Sequence, residues 1–238
     1  MTRIVVVEMG VPGEIFLRNH GSYGSWFCNA IRKVAPDLTV ATLPVETADA
    51  DTMRQGIGVI LSGAEEGVYD DLPWRQSFEG EIVRVIEDGF PLLGVCFAHQ
   101  YLTELFGGKV ERSSSGKEFG RYLINITADG EEDPLFAGIK NPFGALESHN
   151  DVVVRPAPGA VRLASSEKVA WQAFRWSENV RGVQFHPEMT PEIAISILAK
   201  ELTDSRDSVE HSGRINDLKK PHAGLDVLSN FLNICLAW

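Results

Sequence analysis

The sequence has few cysteines, a deficit of basic residues and no long apolar run, and each shortage excludes a class of protein. Three cysteines, Cys28, Cys96 and Cys235, form an odd count without paired spacing, which argues against a disulfide framework and favours a reducing, cytoplasmic compartment. With 22 Lys and Arg against 33 Asp and Glu, the net charge is −11, so we expect no nucleic-acid or membrane partner. No run of about 18 apolar residues and no signal peptide is evident.

Signatures of bound cofactors are also missing. The segment Gly107-Gly108-Lys109 does not belong to a G-x-x-x-x-G-K-[ST] phosphate loop, and the S-G-G-x-D-S pyrophosphatase signature does not occur. No spacing of His, Cys and Asp indicates a metal site. We therefore predict that this chain uses neither a cofactor nor a metal.

What is present indicates an ordinary globular chain with a large core. Its 238 residues are 44% hydrophobic, and a chain of this size buries roughly 70% of the surface that its unfolded form exposes. We predict a single domain over residues 1–238, in which 190–238 form a helical C-terminal extension. Within that extension, 203–222 are polar and are expected to form a surface excursion.

Strand and helix patterns alternate through the first half of the sequence. This order predicts an α/β fold with a three-layer, doubly wound, mostly parallel sheet, whose ligands bind at the carboxyl ends of the strands. Short strands separated by turn signals in the second half predict an antiparallel extension of the sheet. The predicted strands are 4–8, 38–43, 58–61, 91–95, 122–126, 152–155, 161–164, 169–174 and 180–185, and the predicted helices include 25–34, 77–88 and 97–106.

One cysteine lies where a predicted strand meets a predicted helix. In Gly94-Val95-Cys96-Phe97-Ala98, small residues stand two before and two after the thiol, which is the layout of a nucleophile elbow. An ordinary thiol has a pKa of about 8.5 and is only about 3% thiolate at pH 7, and a helix N-terminus typically supplies only about 0.3–1 kcal/mol. A catalytic cysteine here therefore requires a cationic base, and without one it is a buried core residue.

A candidate base follows the predicted strand 180–185. In Phe185-His186-Pro187-Glu188, an extended backbone turns residues i and i+2 to the same side, so His186 and Glu188 can lie adjacent. A carboxylate beside an imidazole fixes its tautomer and stabilises the imidazolium, as in a Cys-His-acid triad. The alternative interpretation of this segment is a salt bridge at the end of a strand.

Four segments together resemble the class I, triad-type glutamine amidotransferases. These are GVCFAHQ at 94–100, QFHPE at 184–188, SHND at 148–151 and LSGAEEGVYDD at 61–71. The similarity runs in order over about residues 1–188 and is greatest to the free-standing GMP synthetase-like group, which also includes gamma-glutamyl peptidases. It implies the flavodoxin-like fold of the class I glutamine amidotransferases. In the nucleophile motif, Ala98 replaces the glycine that is usual in the family.

The resemblance implies roles for five residues in the chemistry. Cys96 would be the nucleophile, His186 the base and Glu188 the residue that orients it. The backbone N–H groups of Gly63 and Phe97 would form the oxyanion hole. Two fixed donors can stabilise the charge that develops on the carboxamide oxygen, each by about 3 kcal/mol.

A second set of residues is implied to bind the substrate. Gln100 matches a position that contacts glutamine, and Glu118 and Phe119 lie in a segment, 116–120, similar to one that lines the family's pocket. Ser148 and His149 belong to the SHND segment. The substrate would be glutamine or a gamma-glutamyl amide.

The sequence leaves three functions open. The first is a glutamine amidotransferase that hydrolyses the gamma-amide through a cysteine thioester and releases ammonia for a separate synthetase. The second is a gamma-glutamyl peptidase or hydrolase that acts alone, and the third is a non-catalytic regulatory or binding module of the same fold. The sequence decides neither the ammonia acceptor nor the oligomeric state.

Overall fold

A computed structural model describes residues 2–202 and 208–238 of the chain. The predicted polar excursion at 203–222 therefore lies partly outside the described residues, since 203–207 are not among them. Across the two described ranges, no helix is both long and apolar enough to span a bilayer.

The strands lie between Arg3 and Val183. They are β1 (Arg3–Glu8), β2 (Thr39–Pro44), β3 (Gly58–Leu61), β4 (Leu92–Val95), β5 (Lys109–Arg112), β6 (Glu118–Ile126), β7 (Phe143–His149), β8 (Asp151–Arg155), β9 (Val161–Ser165), β10 (Ala173–Arg175) and β11 (Val180–Val183). The main sheet has the order β2-β1-β3-β4-β11-β10-β9-β6-β7, and β5 pairs with β8 in a separate ribbon.

Strand direction divides the main sheet into two parts. The neighbours from β2 to β11 pair in parallel, with Val95 of β4 opposite Val183 of β11. From β11 onward, β10, β9, β6 and β7 pair antiparallel. The prediction of a mostly parallel α/β sheet with an antiparallel extension is confirmed. Because β4 and β11 are parallel neighbours, the segments that follow them emerge at the same edge of the sheet.

Helices cover both faces of the parallel strands. The α-helices of the described residues are α1 (Glu14–His20), α2 (Tyr23–Val34), α3 (Ala50–Met53), α4 (Arg75–Glu87), α5 (Phe97–Leu105), α6 (Ala128–Glu132), α7 (Pro191–Leu202), α8 (Ser208–Leu218) and α9 (Gly224–Ala237). Alternate residues of each strand face opposite cores. Val6 joins α2 and α9 in one core, while Val7 joins α4 and α5 in the other. This is the predicted three-layer arrangement.

The C-terminal helix α9 packs on the sheet of its own chain. Val227, Leu228 and Phe231 are fully buried in the core that contains Val6. Burying each such side chain stabilises the fold by roughly 1.5–3 kcal/mol. Cys235, on the same helix, is buried, and this burial raises the pKa of its thiol to about 12. The shared core supports the proposal that the C-terminal residues extend one domain.

Several elements differ from the sequence-based prediction, which did not include strands β5 and β7 or the short helices α3 and α6. Helix α1 lies in the stretch between Gly10 and Gly24, where several glycines concealed a helical segment of only two turns. Strand β10 covers Ala173–Arg175, so only Ala173 and Phe174 of the predicted 169–174 are in a strand, and its pairing with β9 shifts register between these two residues. Helix α1 matters for the site described next, because it forms part of its wall.

Candidate active site

Cys96 lies in a strained turn between β4 and α5. Its backbone has φ +52° and ψ −104°, and among the described residues no other non-glycine residue has a positive φ. Such a conformation costs of the order of 1–3 kcal/mol and is typical of functional sites. The turn also explains Gly94, where a Cβ would lie 2.6 Å from Leu102 Cδ1 and 2.9 Å from the carbonyl oxygen of Ala98. The thiol is thereby fixed at the N-terminus of α5.

His186 and Glu188 lie at the same edge of the sheet, after β11. His186 Nδ1–H donates to Glu188 Oε1 at 2.8 Å, and both side chains are buried. The backbone N–H of His186 donates to the carbonyl of Leu146 on β7 at 2.9 Å, which anchors the histidine to the antiparallel part of the sheet. The structure thus brings together the three residues for which the sequence predicted a triad.

The charges around His186 favour its protonated form. Burial alone lowers the pKa of the imidazole, but the negative charge of Cys96 and then that of Glu188, with hydrogen bonds to both, raise it well above its usual range. A proton held on His186 beside a thiolate is the arrangement that activates a cysteine nucleophile. The geometry can therefore support covalent catalysis at Cys96.

Gly63 and Phe97, the residues predicted to form the oxyanion hole, flank the thiol. Gly63 follows β3 and is buried, and a Cβ at this position would lie 3.2 Å from His186 Cε1 and 3.6 Å from Cys96 Cβ. Only a residue without a side chain lets the backbone approach the pair so closely. Phe97 is the first residue of α5, where helical N–H groups have no partner within the helix. The oxyanion-hole roles of Gly63 and Phe97 stay predictions.

A cavity of about 620 Å³ opens in front of the thiol. Of the residues predicted to bind substrate, Gln100, Ser148 and His149 line it together with Cys96 and His186. Their side chains or backbone are therefore available to a ligand, although contact with glutamine stays a prediction.

Glu118 and Phe119 are not among the residues that line the cavity, whereas Lys117 of the same segment is. Phe119 packs in a core cluster with Leu146 and Met189. Glu118 lies behind His149, where its Oε2 is 3.1 Å from His149 Nε2. Strand β6 explains the outcome, because its pairing with β7 sets Glu118 opposite His149 and Phe119 opposite Ser148. A single segment of sequence gives no indication of this pairing.

His149 is the centre of a buried charge cluster. Its Nε2 lies 3.1 Å from Glu118 Oε2 and 3.3 Å from Glu147 Oε2, and its Nδ1–H donates to the carbonyl of Asp151 at 3.0 Å. Burial lowers the pKa of this imidazole, but the two carboxylates outweigh it and raise the pKa to about 10. Burial raises the pKa of the Glu147 carboxyl group above its usual value. His149 is therefore a cation at neutral pH.

This cluster predicts a pH-dependent stability. The pKa of histidine is about 6.5 in an unfolded chain and about 10 for His149 in the fold, so its ion pairs stabilise the protein below about pH 6.5 and that stabilisation is lost as the pH rises through about 10. We expect the free energy of unfolding to fall over this range, and His149→Gln to flatten the fall. Urea unfolding at several pH values measures it, with His20→Gln on α1 as the control. An unchanged slope in His149→Gln would contradict the prediction.

Several cavity residues were not predicted from the sequence. They come from α1, α2 and α7 and the turn before α7, and they are Phe16, Tyr23, Trp26, Met189, Ile197 and Lys200. Burial, and then the charges of Glu65 and Cys96, raise the pKa of Tyr23, so its hydroxyl stays a hydrogen-bond donor. The apolar spacing of Trp26 indicated a helix face, but nothing in the spacing indicated that this face borders the cavity.

The described part of the chain offers no cluster of three or more His, Cys, Asp or Glu residues that could hold a metal ion. Cys96 and the other two cysteines are unpaired.

Sequence comparisons identify relatives of this chain. Residues 16–204 match the family described as glutamine amidotransferase class-I. The glutamine-hydrolyzing GMP synthase subunit of Saccharolobus solfataricus is 32% identical over 218 residues, which cover 90% of this chain and 94% of that relative. The corresponding subunit from Sulfolobus acidocaldarius is 31% identical over 186 residues, covering 78% of this chain and 80% of the relative.

Other relatives are longer. The glutamine-hydrolyzing GMP synthase of Thermosipho melanesiensis is 35% identical over 173 residues, which are 71% of this chain and 32% of that protein. The chain thus spans about a third of the length of such relatives.

Solved structures share the fold. A glutamine amidotransferase from Thermotoga maritima superposes with a TM-score of 0.78 at 19% identity, covering 100% of this chain and 99% of that one. One from Methylobacillus flagellatus superposes with a TM-score of 0.71 at 19% identity, covering 100% and 93%. At such low identity the likeness concerns the fold alone.

Proposed function

Because this chain belongs to the class-I glutamine amidotransferase family, we propose that it hydrolyses the gamma-amide of glutamine and releases ammonia for a separate synthetase. The observation that carries the proposal is the strained Cys96 elbow beside the buried His186–Glu188 pair. A backbone strain of this kind persists only where the surrounding structure enforces it, and the turn holds the thiol next to its base.

The proposed reaction has two halves. In the first, the Cys96 thiolate attacks the gamma-carbonyl carbon, and the N–H groups of Gly63 and Phe97 stabilise the oxyanion. The C–N bond then breaks as the His186 imidazolium donates its proton to the leaving nitrogen, so ammonia departs and a glutamyl thioester remains. In the second half, His186 takes a proton from water, the resulting hydroxide attacks the thioester, and glutamate leaves as the thiol is restored.

The partner and the compartment are part of the proposal. Two relatives that are named as one subunit of GMP synthase match the chain over most of their own length, whereas the longer synthases extend well beyond it. This supports a synthetase on another polypeptide as the ammonia acceptor. The three unpaired cysteines suit a reducing compartment, so we place the protein in the cytoplasm.

Two measurements test the proposed function. The purified chain is incubated with glutamine labelled with ¹⁵N in the amide, and glutamate and labelled ammonia are measured. In parallel, a diazoketone analogue of glutamine should alkylate Cys96 and add its mass to that peptide. If neither glutamate release nor alkylation at Cys96 occurs, the chain is a non-catalytic module and the proposal fails.

The size of the cavity favours a second candidate, a gamma-glutamyl hydrolase that acts alone. Its volume of about 620 Å³ falls within the range of about 300–1,000 Å³ of sites for drug-sized ligands, and glutamine is much smaller than these. Part of the lining is apolar and is formed by Phe16, Trp26, Met189 and Ile197, beside charged residues such as Glu65 and Lys200. The Met189 N–H donates to the carbonyl of His186 at 3.3 Å, so this apolar residue lies next to the residue that we propose protonates the leaving nitrogen. A leaving amine with an apolar substituent would fit there.

Ile197 separates the two candidates. We expect Ile197→Asn to lower kcat/KM for gamma-glutamyl-phenylalanine by about tenfold or more, because apolar contacts worth about 1–3 kcal/mol are lost, and to change kcat/KM for glutamine less than about threefold. Ile195→Asn is the matched control, since this isoleucine is also half-buried on α7 but does not line the cavity. Equal effects of Ile197→Asn on both substrates would reject the second candidate.

A further inference from the structure

Gln184 is a fully buried glutamine between β11 and the catalytic histidine, and the reaction described above gives it no role. Its exposed fraction is 0%, and its backbone N–H donates to the carbonyl of Gln172 at 2.8 Å. Its side-chain nitrogen Nε2 lies 3.7 Å from Cys96 Sγ, in a hydrogen bond to the sulfur. A buried side-chain amide needs partners for its polar atoms, and one of the partners here is the reacting atom.

A chain of hydrogen bonds fixes which end of the Gln184 amide faces the thiol. The carbonyl of Asp151 can only accept, so Gln100 must present its nitrogen, which donates to that carbonyl at 2.9 Å. The same Gln100 nitrogen donates to Gln184 Oε1 at 3.1 Å. With its oxygen occupied in this way, Gln184 turns its nitrogen toward Cys96. The His149 cation donates to the same Asp151 carbonyl and holds it in place.

The sulfur has a different partner for each protonation state. As a thiol, Cys96 donates to the carbonyl of Ser148 at 3.7 Å, and this oxygen would repel a thiolate. As a thiolate, the sulfur accepts from the Gln184 nitrogen. Hydrogen bonds to an ionised acceptor are roughly twice as strong as neutral ones, and in a buried site they are weakened little by water. The Gln184 donor therefore favours the charged, nucleophilic state.

We propose that Gln184 is a catalytic residue that donates a hydrogen bond to the Cys96 thiolate and that Gln100 is the positioning residue that orients it. The inference rests on the proposed function in that the thiolate it stabilises is the nucleophile of amide hydrolysis. It also changes the role of Gln100 toward substrate. Both N–H bonds of that amide are used within the protein, so Gln100 can only accept from a ligand.

Alkylation of Cys96 as a function of pH tests the proposal. We expect Gln184→Met, which keeps the volume but has no donor, to move the pH midpoint of iodoacetamide labelling at Cys96 upward by about one unit and to slow labelling below the midpoint about tenfold. The acid limb of kcat/KM for glutamine should shift in the same direction. Peptide mass analysis separates labelling at Cys96 from that at Cys28 and Cys235.

The matched control is Gln172→Met. Gln172 is also 0% exposed and contacts Ser166 and Glu118 but not the thiol. We expect this variant to leave the pH midpoint of labelling at Cys96 unchanged. The comparison distinguishes the loss of the Gln184 donor from the general effect of removing a buried amide.

Two outcomes would overturn the proposal. One is an unchanged labelling midpoint in folded Gln184→Met, and the other is an equal shift in Gln172→Met. Should Gln184→Met fail to fold, Gln100→Met replaces it, because removing the orienting donor should shift the midpoint upward by a smaller amount; no shift would then reject the proposal. Labelling by iodoacetamide does not require turnover, so a wild-type protein that neither releases glutamate nor reacts with the diazoketone would refute the proposed function and leave this test intact.

Discussion

Replacing the nucleophile, Cys96→Ala, is expected to lower kcat/KM for glutamine by at least about 10⁴-fold. The variant removes the only atom that forms the thioester, and the backbone donors near Gly63 and Phe97 can offer no more than residual stabilisation of direct water attack. Alanine, like cysteine, has a Cβ, so the backbone strain at φ +52° is the same in the variant. The free energy of unfolding should therefore change little. Glutamate release and thermal unfolding, measured on the same preparation, check both expectations.

Two companion variants sharpen this prediction. Cys28→Ala removes a half-buried thiol of α2, far along the chain from the elbow, and should keep activity. The double variant Cys96→Ala with His186→Ala should be no slower than Cys96→Ala, because residues that act as a unit are not additive. Substantial glutaminase activity in Cys96→Ala would contradict the thioester route.

Replacing the orienting acid, Glu188→Gln, is expected to lower kcat for glutamine by about 10²–10⁴-fold. In the wild-type chain, His186 Nδ1 lies 2.8 Å from Glu188 Oε1. The glutamine amide has nearly the same shape as the carboxylate and can still contact this nitrogen, but it has no charge and does not fix the tautomer of the imidazole. The charge of Glu188 helps to raise the pKa of His186. Its removal lowers that pKa, so the alkaline limb of the kcat profile should move to lower pH.

The control for this prediction is Glu192→Gln, which neutralises an exposed acid on α7 and should leave both kcat and the alkaline limb unchanged. A variant Glu188→Gln that is slow but keeps the alkaline limb would contradict the electrostatic role. That result would leave Glu188 as a packing residue only.

The catalytic candidates could be identified from the sequence because each depends on local geometry. A glycine two residues before Cys96 is required by the tight turn, since a Cβ there would collide with α5. His186 and Glu188 stand two apart on an extended segment, so their proximity needs no tertiary information. The alternation of strand and helix likewise determined the parallel sheet, and the carboxyl-end position of the site follows from it.

Other features depended on pairings between distant segments. The sequence placed Glu118 and Phe119 in the pocket, but the register of β6 with β7 turns Glu118 toward His149 and Phe119 into a core. Helix α1 was missed because its short amphipathic pattern lies among glycines, although its Phe16 borders the cavity. Periodicity reports which face of a segment is buried, and not which segment covers it.

The sequence by itself determined the α/β fold class, the elbow at Cys96 and the His186–Glu188 pair, because short-range backbone geometry dictates each of them. Only the tertiary structure decided the extent of the cavity, the cation at His149 and the donor from Gln184 to the thiol. The position of the Gln184 donor depends on two long-range contacts. Gln184 contacts Gln100, 84 positions away, and Cys96, 88 positions away. Such contacts arise only when β4 and β11 pair as neighbours, because strand pairing sets which side chains meet at the edge of the sheet.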